Sequence, residues 1–348
     1  CAQVYAEAQD EQHLASFRGE VLRQKRSHAL SEERLEQLIQ DRRDRWVERR
    51  LIAVGMKRAK QYGWNDVYTF TKAMGELLLV AARGDQRLVI VRPSIIESSL
   101  ADPEPGWITG MKVMDPLVAA YGRGLLPDFP AGRDVILDLI PVDIVVNATL
   151  AAATQASAES VPVFQVATGE ENPVLLSRVF NEVRSYFLDN PMRDRDGKSP
   201  KLREWSYPSL RRFRLKIHWR YLFPLRAREW VLDRMPSSVT SPTQRRLAAT
   251  LQLRLRRVLY YSEIYHPYTH LRCVFETRRL RDLADKLTPA ERSRFNTDIV
   301  GIDWKTYVQK IHVPGLRRHV LKDETTNGSP AEAEASEPLY PDSEEIES

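Results

Sequence analysis

The chain has 348 residues, of which 28% are charged and 43% are hydrophobic, and its formal net charge is +5. This length suffices for one large domain and a smaller one. The longest apolar runs, such as residues 77–82, are far shorter than the ~20 residues that span a bilayer. Only two cysteines are present, which excludes a disulfide framework, so we expect a cytoplasmic protein. The seven histidines lack metal-ligand spacing, and no metal site is predicted.

Residues 10–60 are rich in charge and predict a long helix. Ser31 is placed to cap a helix that runs from Glu32 to about Tyr62. Its apolar residues recur at roughly helical spacing: Leu35, Leu38, Ile39, Trp46, Leu51 and Val54. We expect a helical excursion on the surface of a sheet, and the alternative is a lid over a substrate site.

A tyrosine and a lysine lie four residues apart just inside the next predicted helix. Gly63 can end the preceding helix, and Asn65 or Asp66 can cap the new one. On a helix, Tyr68 and Lys72 share one face. An ammonium beside a phenol favours the phenolate, and such a tyrosine suits proton delivery to a carbonyl under reduction. Spacing alone is also compatible with a surface lysine packed over a helical tyrosine.

Two apolar runs predict buried strands of a parallel sheet. Residues 88–91 form one run, which ends at Arg92-Pro93-Ser94, so we expect a loop to leave the carboxyl end of that strand there. Open α/β sheets bind their ligands at such ends. A final strand is predicted over residues 162–167. Helices between these strands indicate the second half of a doubly wound parallel sheet.

Residues 201–260 are strongly basic, with 15 Arg or Lys against three acids and with aromatic residues interleaved. Three interpretations remain open: a solvated face of arginine-rich helices, a surface for anionic lipid, or a site for a phosphorylated ligand with an apolar tail. No nucleic-acid-binding module is recognisable, so nucleic acid is not an expected partner.

The C-terminal part predicts a small helical unit. Thr288 is a cap, Pro289 occupies the first helical position, and Glu291 completes a capping box. Trp304 and Tyr307 follow at helical spacing and are expected in the core. Beyond residue 322 the chain has nine acids and no base, which is typical of a disordered acidic tail.

Several sequence blocks together resemble the fatty acyl-CoA reductases, which belong to the extended short-chain dehydrogenase/reductase group. They lie in chain order at residues 63–76, 91–98, 104–108 and 138–143. A later block, from Phe275 to Tyr307, is similar to that family's small helical domain, sometimes called the male-sterility domain. The implied fold is α/β: the second half of a Rossmann-type doubly wound parallel sheet, followed by a mainly helical C-terminal domain.

The resemblance and the composition together imply four parts. They are an incomplete NAD(P)-binding reductase domain over residues 1–170, a basic, aromatic-rich helical connecting region over 171–262, the male-sterility-type helical domain over 263–322, and the acidic tail over 323–348. The oligomeric state does not follow from the sequence.

The resemblance also implies roles for individual residues. Tyr68 is the implied proton donor, and Lys72 activates it and holds the ribose hydroxyls of NADPH. The backbone of Pro93, Ser94, Ile95 and Ile96 borders the nicotinamide ring. The implied reaction reduces a long-chain fatty acyl-CoA to the fatty aldehyde or fatty alcohol. From composition and charge, in contrast, we expect a cytoplasmic protein, with residues 201–260 as a candidate contact to an anionic membrane.

One departure from the family pattern concerns the cofactor. The Gly-rich strand–loop–helix that cradles a pyrophosphate does not occur in this sequence. We therefore expect the chain to be the C-terminal part of a longer protein, with little activity alone. Two alternatives remain: a reductase of carrier-protein thioesters, which lacks the C-terminal helical unit, and an inactive truncated relative that binds lipid surfaces.

Overall fold

The computed structural model describes residues 1–24, 31–193, 197–232 and 242–322. These residues form two compact units, of which the first contains Cys1–Leu78 and the second begins at Leu79. The predicted acidic tail, residues 323–348, lies outside the described residues.

The first unit is built from helices. They are α1 (Ala2–Gln9), α2 (Glu11–Gln24), α3 (Glu32–Gln61) and α4 (Val67–Ala82), whose last residues belong to the second unit. Burial of Val4, Ala8 and Val47 holds α1 against α3. Phe17 of α2 meets the edge of Trp46 of α3 with 6.0 Å between ring centroids. Helix α3 therefore packs on the other helices of this unit through Trp46 and Val47, whereas Val54 of its predicted apolar set is exposed.

The predicted boundaries of α3 are confirmed. The Ser31 hydroxyl oxygen accepts a hydrogen bond from the backbone N–H of Arg34 at 3.3 Å, as an N-cap does. At the other end, Gly63 has a φ of +80° and the Trp64 N–H donates to the Ala59 carbonyl at 3.0 Å. Gly63 thus ends the helix through a left-handed residue, which is the conformation that glycine adopts without steric cost.

The second unit contains two pairs of parallel strands. Strand β1 (Ile90–Pro93) pairs with β4 (Val163–Val166), and β2 (Ile95–Glu97) pairs with β3 (Leu139–Pro141). The parallel pairing confirms the predicted α/β class, and the last strand lies where it was expected. Leu88 makes only an isolated bridge with Ser157, so β1 starts two residues later than the run suggests.

The prediction that a loop leaves at residues 92–94 is wrong. The backbone N–H of Ser94 donates to the Val166 carbonyl at 2.9 Å, and that of Ile95 donates to the Asp138 carbonyl at 3.0 Å. The extended chain therefore passes from one strand partner to the other at Ser94 without a break. Pro93 does not end the pairing, because its missing N–H is not one that the ladder needs.

Three helices cover these strands and form the core of the unit. They are α5 (Asp115–Gly122), α6 (Val142–Ala153) and α7 (Leu176–Asp189). Val118 of α5, Ile144 of α6 and Val183 of α7 are buried in one cluster with Ile140 of β3 and Val166 of β4. This cluster supplies most of the apolar burial of the unit.

The remaining elements are helical, and each is short except one. They are α8 (Leu210–Ile217), α9 (Phe223–Leu232), α10 (Pro242–Tyr265), α11 (Arg278–Lys286), α12 (Pro289–Arg294), α13 (Trp304–Thr306) and α14 (Val313–Leu316), with a 3-10 turn (Tyr268–His270) and π-helical turns (His218–Leu222, Tyr307–His312, Arg317–Leu321). The predicted capping box at Thr288 is present, and Trp304 and Tyr307 are buried as expected. Among the described helices, none is long and apolar enough to cross a bilayer.

The C-terminal helical segment contacts the chain after β2 backbone to backbone. A Cβ atom added at Gly315 of α14 would overlap the Gly106 carbonyl oxygen and lie 2.6 Å from the Gly106 Cα. Gly106 has a φ of +82°, a left-handed conformation that disfavours other residues. Both glycines are needed for this approach, because any side chain at either position would separate the two backbones.

We expect Gly315→Ala to lower the stability of the protein by about 2–3 kcal/mol, since the added methyl group meets backbone atoms that cannot move aside. Thermal unfolding followed by circular dichroism measures the effect. Gly75→Ala in α4 is the matched control, because nothing lies within 4 Å of its added Cβ. Equal melting temperatures for the two variants would show that the Gly106–Gly315 contact is not tight.

Candidate active site

Helix α4 presents Tyr68 and Lys72 on one face, one turn apart. Asp66 caps this helix: its Oδ1 accepts from the Thr69 backbone N–H at 2.7 Å and from the Thr69 hydroxyl at 2.9 Å. This resolves the choice between Asn65 and Asp66 as the cap. Tyr68 is 71% exposed, and Lys72 is exposed as well. The phenol and the ammonium are therefore held on a fixed helical turn and are open to solvent.

The four residues implied to border the nicotinamide lie in the second unit. Pro93 ends β1, Ser94 is the residue at which the chain changes strand partner, and Ile95 and Ile96 belong to β2. The Ser94 hydroxyl oxygen is buried and has no hydrogen-bond partner among the described residues. A buried hydroxyl without a partner is costly, and it is common at sites that receive a polar ligand group.

The predicted site residues are therefore distributed over both units. The structure brings Tyr68 and Lys72 together on α4 in the first unit. It brings Pro93, Ser94 and the β2 residues together in the second unit. The cap from Asp66 fixes the helical turn of the first set, and hydrogen bonds between paired strands fix the backbone of the second set.

Two aspartates, Asp138 and Asp143, hold loops through side-chain hydrogen bonds. Asp143, 8% exposed, accepts hydrogen bonds from the backbone N–H groups of three consecutive residues, Leu100, Ala101 and Asp102, at 2.8–3.1 Å. Asp138 accepts from the Thr168 backbone N–H at 2.8 Å. Both carboxylates thus fix the chain that leaves the carboxyl ends of β2 and β4.

Two of the blocks that carry the family resemblance, at residues 91–98 and 104–108, contact the C-terminal helical segment within the second unit. The Tyr307 hydroxyl donates to the Ser98 carbonyl at 2.7 Å, so the C-terminal segment reaches the end of β2. Glu104 lies 3.4 Å from His319 Nε2, which joins the block at 104–108 to the last helical turn. Residues that are distant in sequence thus occupy one continuous region.

A buried polar cluster follows directly after Ile96, and sequence analysis missed it. Glu97 ends β2, Asp115 begins α5, and His312 ends a π-helical turn. One ligand atom from each lies within 4.8 Å of the others, and all three side chains are buried. His312 Nε2 and Asp115 Oδ1 form an ion pair at 3.2 Å. The three positions lie too far apart in the chain for a spacing motif to reveal them.

The electrostatics of this cluster are unusual because it is sealed from water. Burial raises the pKa of the Glu97 carboxyl to about 8, although the charges of His312 and Lys112 favour its ionised form. Burial lowers the pKa of the His312 imidazole, but the carboxylates of Asp115 and Glu97 outweigh this effect, and the pKa of His312 is raised. Burial also raises the pKa of the Tyr307 hydroxyl well above its usual range.

Two family models match the chain, and both are described as male sterility protein. The NAD-binding model matches residues 7–149, and the Sterile model matches residues 244–323. The first model describes an NAD-binding domain, and the second model lies C-terminal to it. This is the order of the two domain types that the sequence blocks suggested.

Similar proteins carry a consistent name. Fatty acyl-CoA reductase 2, chloroplastic, of Arabidopsis thaliana is 36% identical over 276 residues, which cover 77% of this chain and 44% of the relative. Fatty acyl-CoA reductase 1 of the same plant is 35% identical, with 85% and 60% covered. The alcohol-forming fatty acyl-CoA reductase of Simmondsia chinensis is 34% identical, with 77% and 55% covered.

The chain spans about half the length of these relatives, between 44% and 60%. The matched segments include α4 with Tyr68 and Lys72, the strands β1 to β3 and the C-terminal helical segment. The chain belongs to the fatty acyl-CoA reductase family.

Proposed function

We propose that the protein reduces a long-chain fatty acyl-CoA to the aldehyde or alcohol with NADPH. The observation that carries this proposal is the Tyr68–Lys72 pair on the capped, exposed face of α4, in a chain of this family. The relatives named as fatty acyl-CoA reductases support the substrate class, and the name of the Simmondsia chinensis relative favours the alcohol as product. The preference for NADPH over NADH rests on the family resemblance alone.

The described residues fit a nicotinamide cofactor in two respects. Lys72 is an exposed cation one turn from Tyr68, which suits a ribose with two hydroxyl groups, and the Ser94 hydroxyl is a buried polar group without a partner among the described residues. The cofactor supplies the hydride when bound. Residues Pro93 to Ile96 would border its nicotinamide ring.

Tyr68 and Lys72 divide the acid chemistry between them. The Tyr68 hydroxyl would donate its proton to the oxygen that gains negative charge as the carbonyl carbon accepts hydride. The Lys72 ammonium would stabilise the phenolate that remains, because a positive charge one helical turn away favours the ionised phenol. The cap from Asp66 to Thr69 fixes the turn on which this proton transfer depends.

We expect Tyr68→Phe to lower kcat by at least about 100-fold, because the variant keeps the ring but loses the proton that the reaction needs. NADPH oxidation with a C16 or C18 acyl-CoA measures it, in the protein as its gene encodes it. Tyr62→Phe is the matched control: Tyr62 is also exposed, and its stacking on Phe70, with 5.6 Å between centroids, does not need the hydroxyl.

Full activity in Tyr68→Phe would remove Tyr68 from the proton transfer. Loss of activity in both variants would point to a fold defect, which circular dichroism of the two proteins then separates from a loss of chemistry.

We also propose that the basic stretch, residues 201–260, contacts an anionic membrane surface. In this proposal the protein is cytoplasmic and binds the periphery of a membrane. The segment from α8 into α9 has two distinct faces. Phe213, Ile217 and Leu222 are buried in the core of the second unit. On the other side, Leu215, Trp219 and Phe223 are 49%, 65% and 58% exposed, and Trp230 further along is 58% exposed.

Charge complements this exposed apolar strip. The exposed arginines of the same segment are Arg211, Arg212, Arg214, Arg220, Arg226 and Arg228. Apolar and aromatic side chains flanked by arginines suit the boundary between headgroups and acyl chains, where each basic residue contributes about 1 kcal/mol near anionic lipid. An acyl-CoA substrate with a long apolar tail also partitions to such a surface.

We expect the protein to sediment with vesicles of phosphatidylcholine that contain 30% phosphatidylserine and to remain in solution with pure phosphatidylcholine. The double variant Trp219→Ala/Phe223→Ala should bind at least about 10-fold more weakly, because it removes two exposed aromatic anchors. Trp64→Ala is the control, since Trp64 is exposed outside the basic stretch. The membrane proposal would be overturned if the double variant sedimented as much as the wild type, or if binding of the wild type did not depend on anionic lipid.

A further inference from the structure

The Glu97–Asp115–His312 cluster has no role in the reduction proposed above. Glu97 is 2% exposed, Asp115 is fully buried and His312 is 1% exposed. Neither carboxylate oxygen of Glu97 has a hydrogen-bond partner among the described residues; the Met114 backbone is near it but forms no bond of good geometry. A buried carboxyl group with both oxygens unsatisfied is rare in folded proteins, and it points to a missing ligand.

We propose that Glu97, Asp115 and His312 bind a zinc ion. The carboxylates of Glu97 and Asp115 carry two negative charges, and a neutral imidazole adds none, so a divalent cation gives a neutral buried site. Without the cation, an imidazolium balances the Asp115 carboxylate, and burial raises the pKa of Glu97 to about 8, which favours its neutral form. A neutral Glu97 still leaves both of its carboxyl oxygens without a hydrogen-bond partner among the described residues, and a bound cation would remove that cost.

The surrounding hydrogen bonds orient the ligand atoms. His312 Nδ1 lies 3.0 Å from the Ser98 hydroxyl oxygen, so an Nδ1–H donated to Ser98 leaves the Nε2 lone pair directed at the cluster. Asp115 Oδ2 accepts from the Lys112 backbone N–H at 2.7 Å, which leaves Oδ1 for the ion. The free atom of each side chain is the one that faces the other two.

The distances and ligand types favour zinc. Asp115 Oδ1 and His312 Nε2 are 3.2 Å apart, close to the roughly 3.4 Å that separates two ligands on a tetrahedral zinc with bonds of about 2.1 Å. The Glu97 oxygen lies within 4.8 Å of the other two ligand atoms, a range from which a rotation of its side chain can bring it to zinc-binding distance. Two carboxylates alone would suit Mg²⁺ or Ca²⁺, whereas the imidazole shifts the preference toward zinc.

The proposed ion would join three parts of the chain that are distant in sequence. Glu97 lies at the end of β2, Asp115 at the start of α5, and His312 in the C-terminal segment matched by the Sterile model. Because all three side chains are buried, the ion would be taken up during folding, and the second carboxylate oxygen of Glu97 would supply the fourth ligand of a tetrahedral zinc.

The test is the zinc content of the protein expressed in zinc-supplemented medium and dialysed against metal-free buffer. We expect about one zinc per chain for the wild type and less than about 0.1 for Glu97→Gln, by elemental analysis. Glutamine keeps the shape and polarity of a protonated Glu97, so this variant should fold, which circular dichroism verifies. Cobalt(II) in place of zinc should give visible absorption in the wild type and none in the variant.

A matched control addresses adventitious zinc. His266 and His270 lie with their ring centroids 4.2 Å apart outside the cluster, and His266→Ala should leave the zinc content unchanged. Zinc stabilises only a site formed in the folded state, so the wild type purified with zinc should melt several degrees above the wild type produced without zinc, and Glu97→Gln should melt at the same temperature in both preparations. A wild-type protein without zinc, equal zinc in Glu97→Gln, or loss of zinc in His266→Ala would each overturn the proposal.

Discussion

The second unit depends on the contact between the C-terminal helical segment and the chain that follows β2. Gly106 and Gly315 allow the two backbones to touch, and the Tyr307 hydroxyl reaches the Ser98 carbonyl beside them. Close packing of this kind tolerates no added atoms, so it fixes the position of the end of β2 more tightly than side-chain packing alone. The buried cluster around Glu97 and the loop held by Asp143 both lie next to this contact in the chain.

The change of strand partner at Ser94 gives the implied nicotinamide border its particular chemistry. On each side of Ser94 the backbone N–H and C=O groups are used in parallel pairing, with β4 before it and β3 after it. The Ser94 side chain is therefore held on a rigid backbone while its hydroxyl lacks a partner among the described residues. Rigid placement of an unsatisfied polar group is what a ligand-binding position requires.

Local features of the fold were predictable from sequence because their causes are local. Ser31, Gly63 and the capping box at Thr288 act within one turn of the residues they cap, and each is present in the structure. The apolar run before Pro93 predicted a parallel strand correctly, but the predicted burial was wrong, because Ile90 and Val91 are only half-buried. Its end was predicted wrongly, because a proline is compatible with continued pairing when the ladder does not use its N–H, and only the partner strands determine that.

Features that depend on distant residues were not predictable. Asp138 and Asp143 accept hydrogen bonds from loops elsewhere in the chain, and no local sequence pattern indicates these partners. The Glu97–Asp115–His312 cluster unites three segments that no spacing rule connects. For Tyr68 and Lys72 the sequence indicated the shared helical face correctly, since four residues on a helix always return to the same side.

The contact between Gly106 and Gly315 also determines where the chain can be divided. The NAD-binding model ends at residue 149 and the Sterile model begins at residue 244, which suggests two separable modules. A protein shortened to residue 300 would keep both strand pairs, yet it would open Glu97, Ser98 and Ser99 to water, although each is now at most 2% exposed. The C-terminal segment is thus an integral wall of the reductase-type sheet, and expression of either segment alone should give an incomplete core.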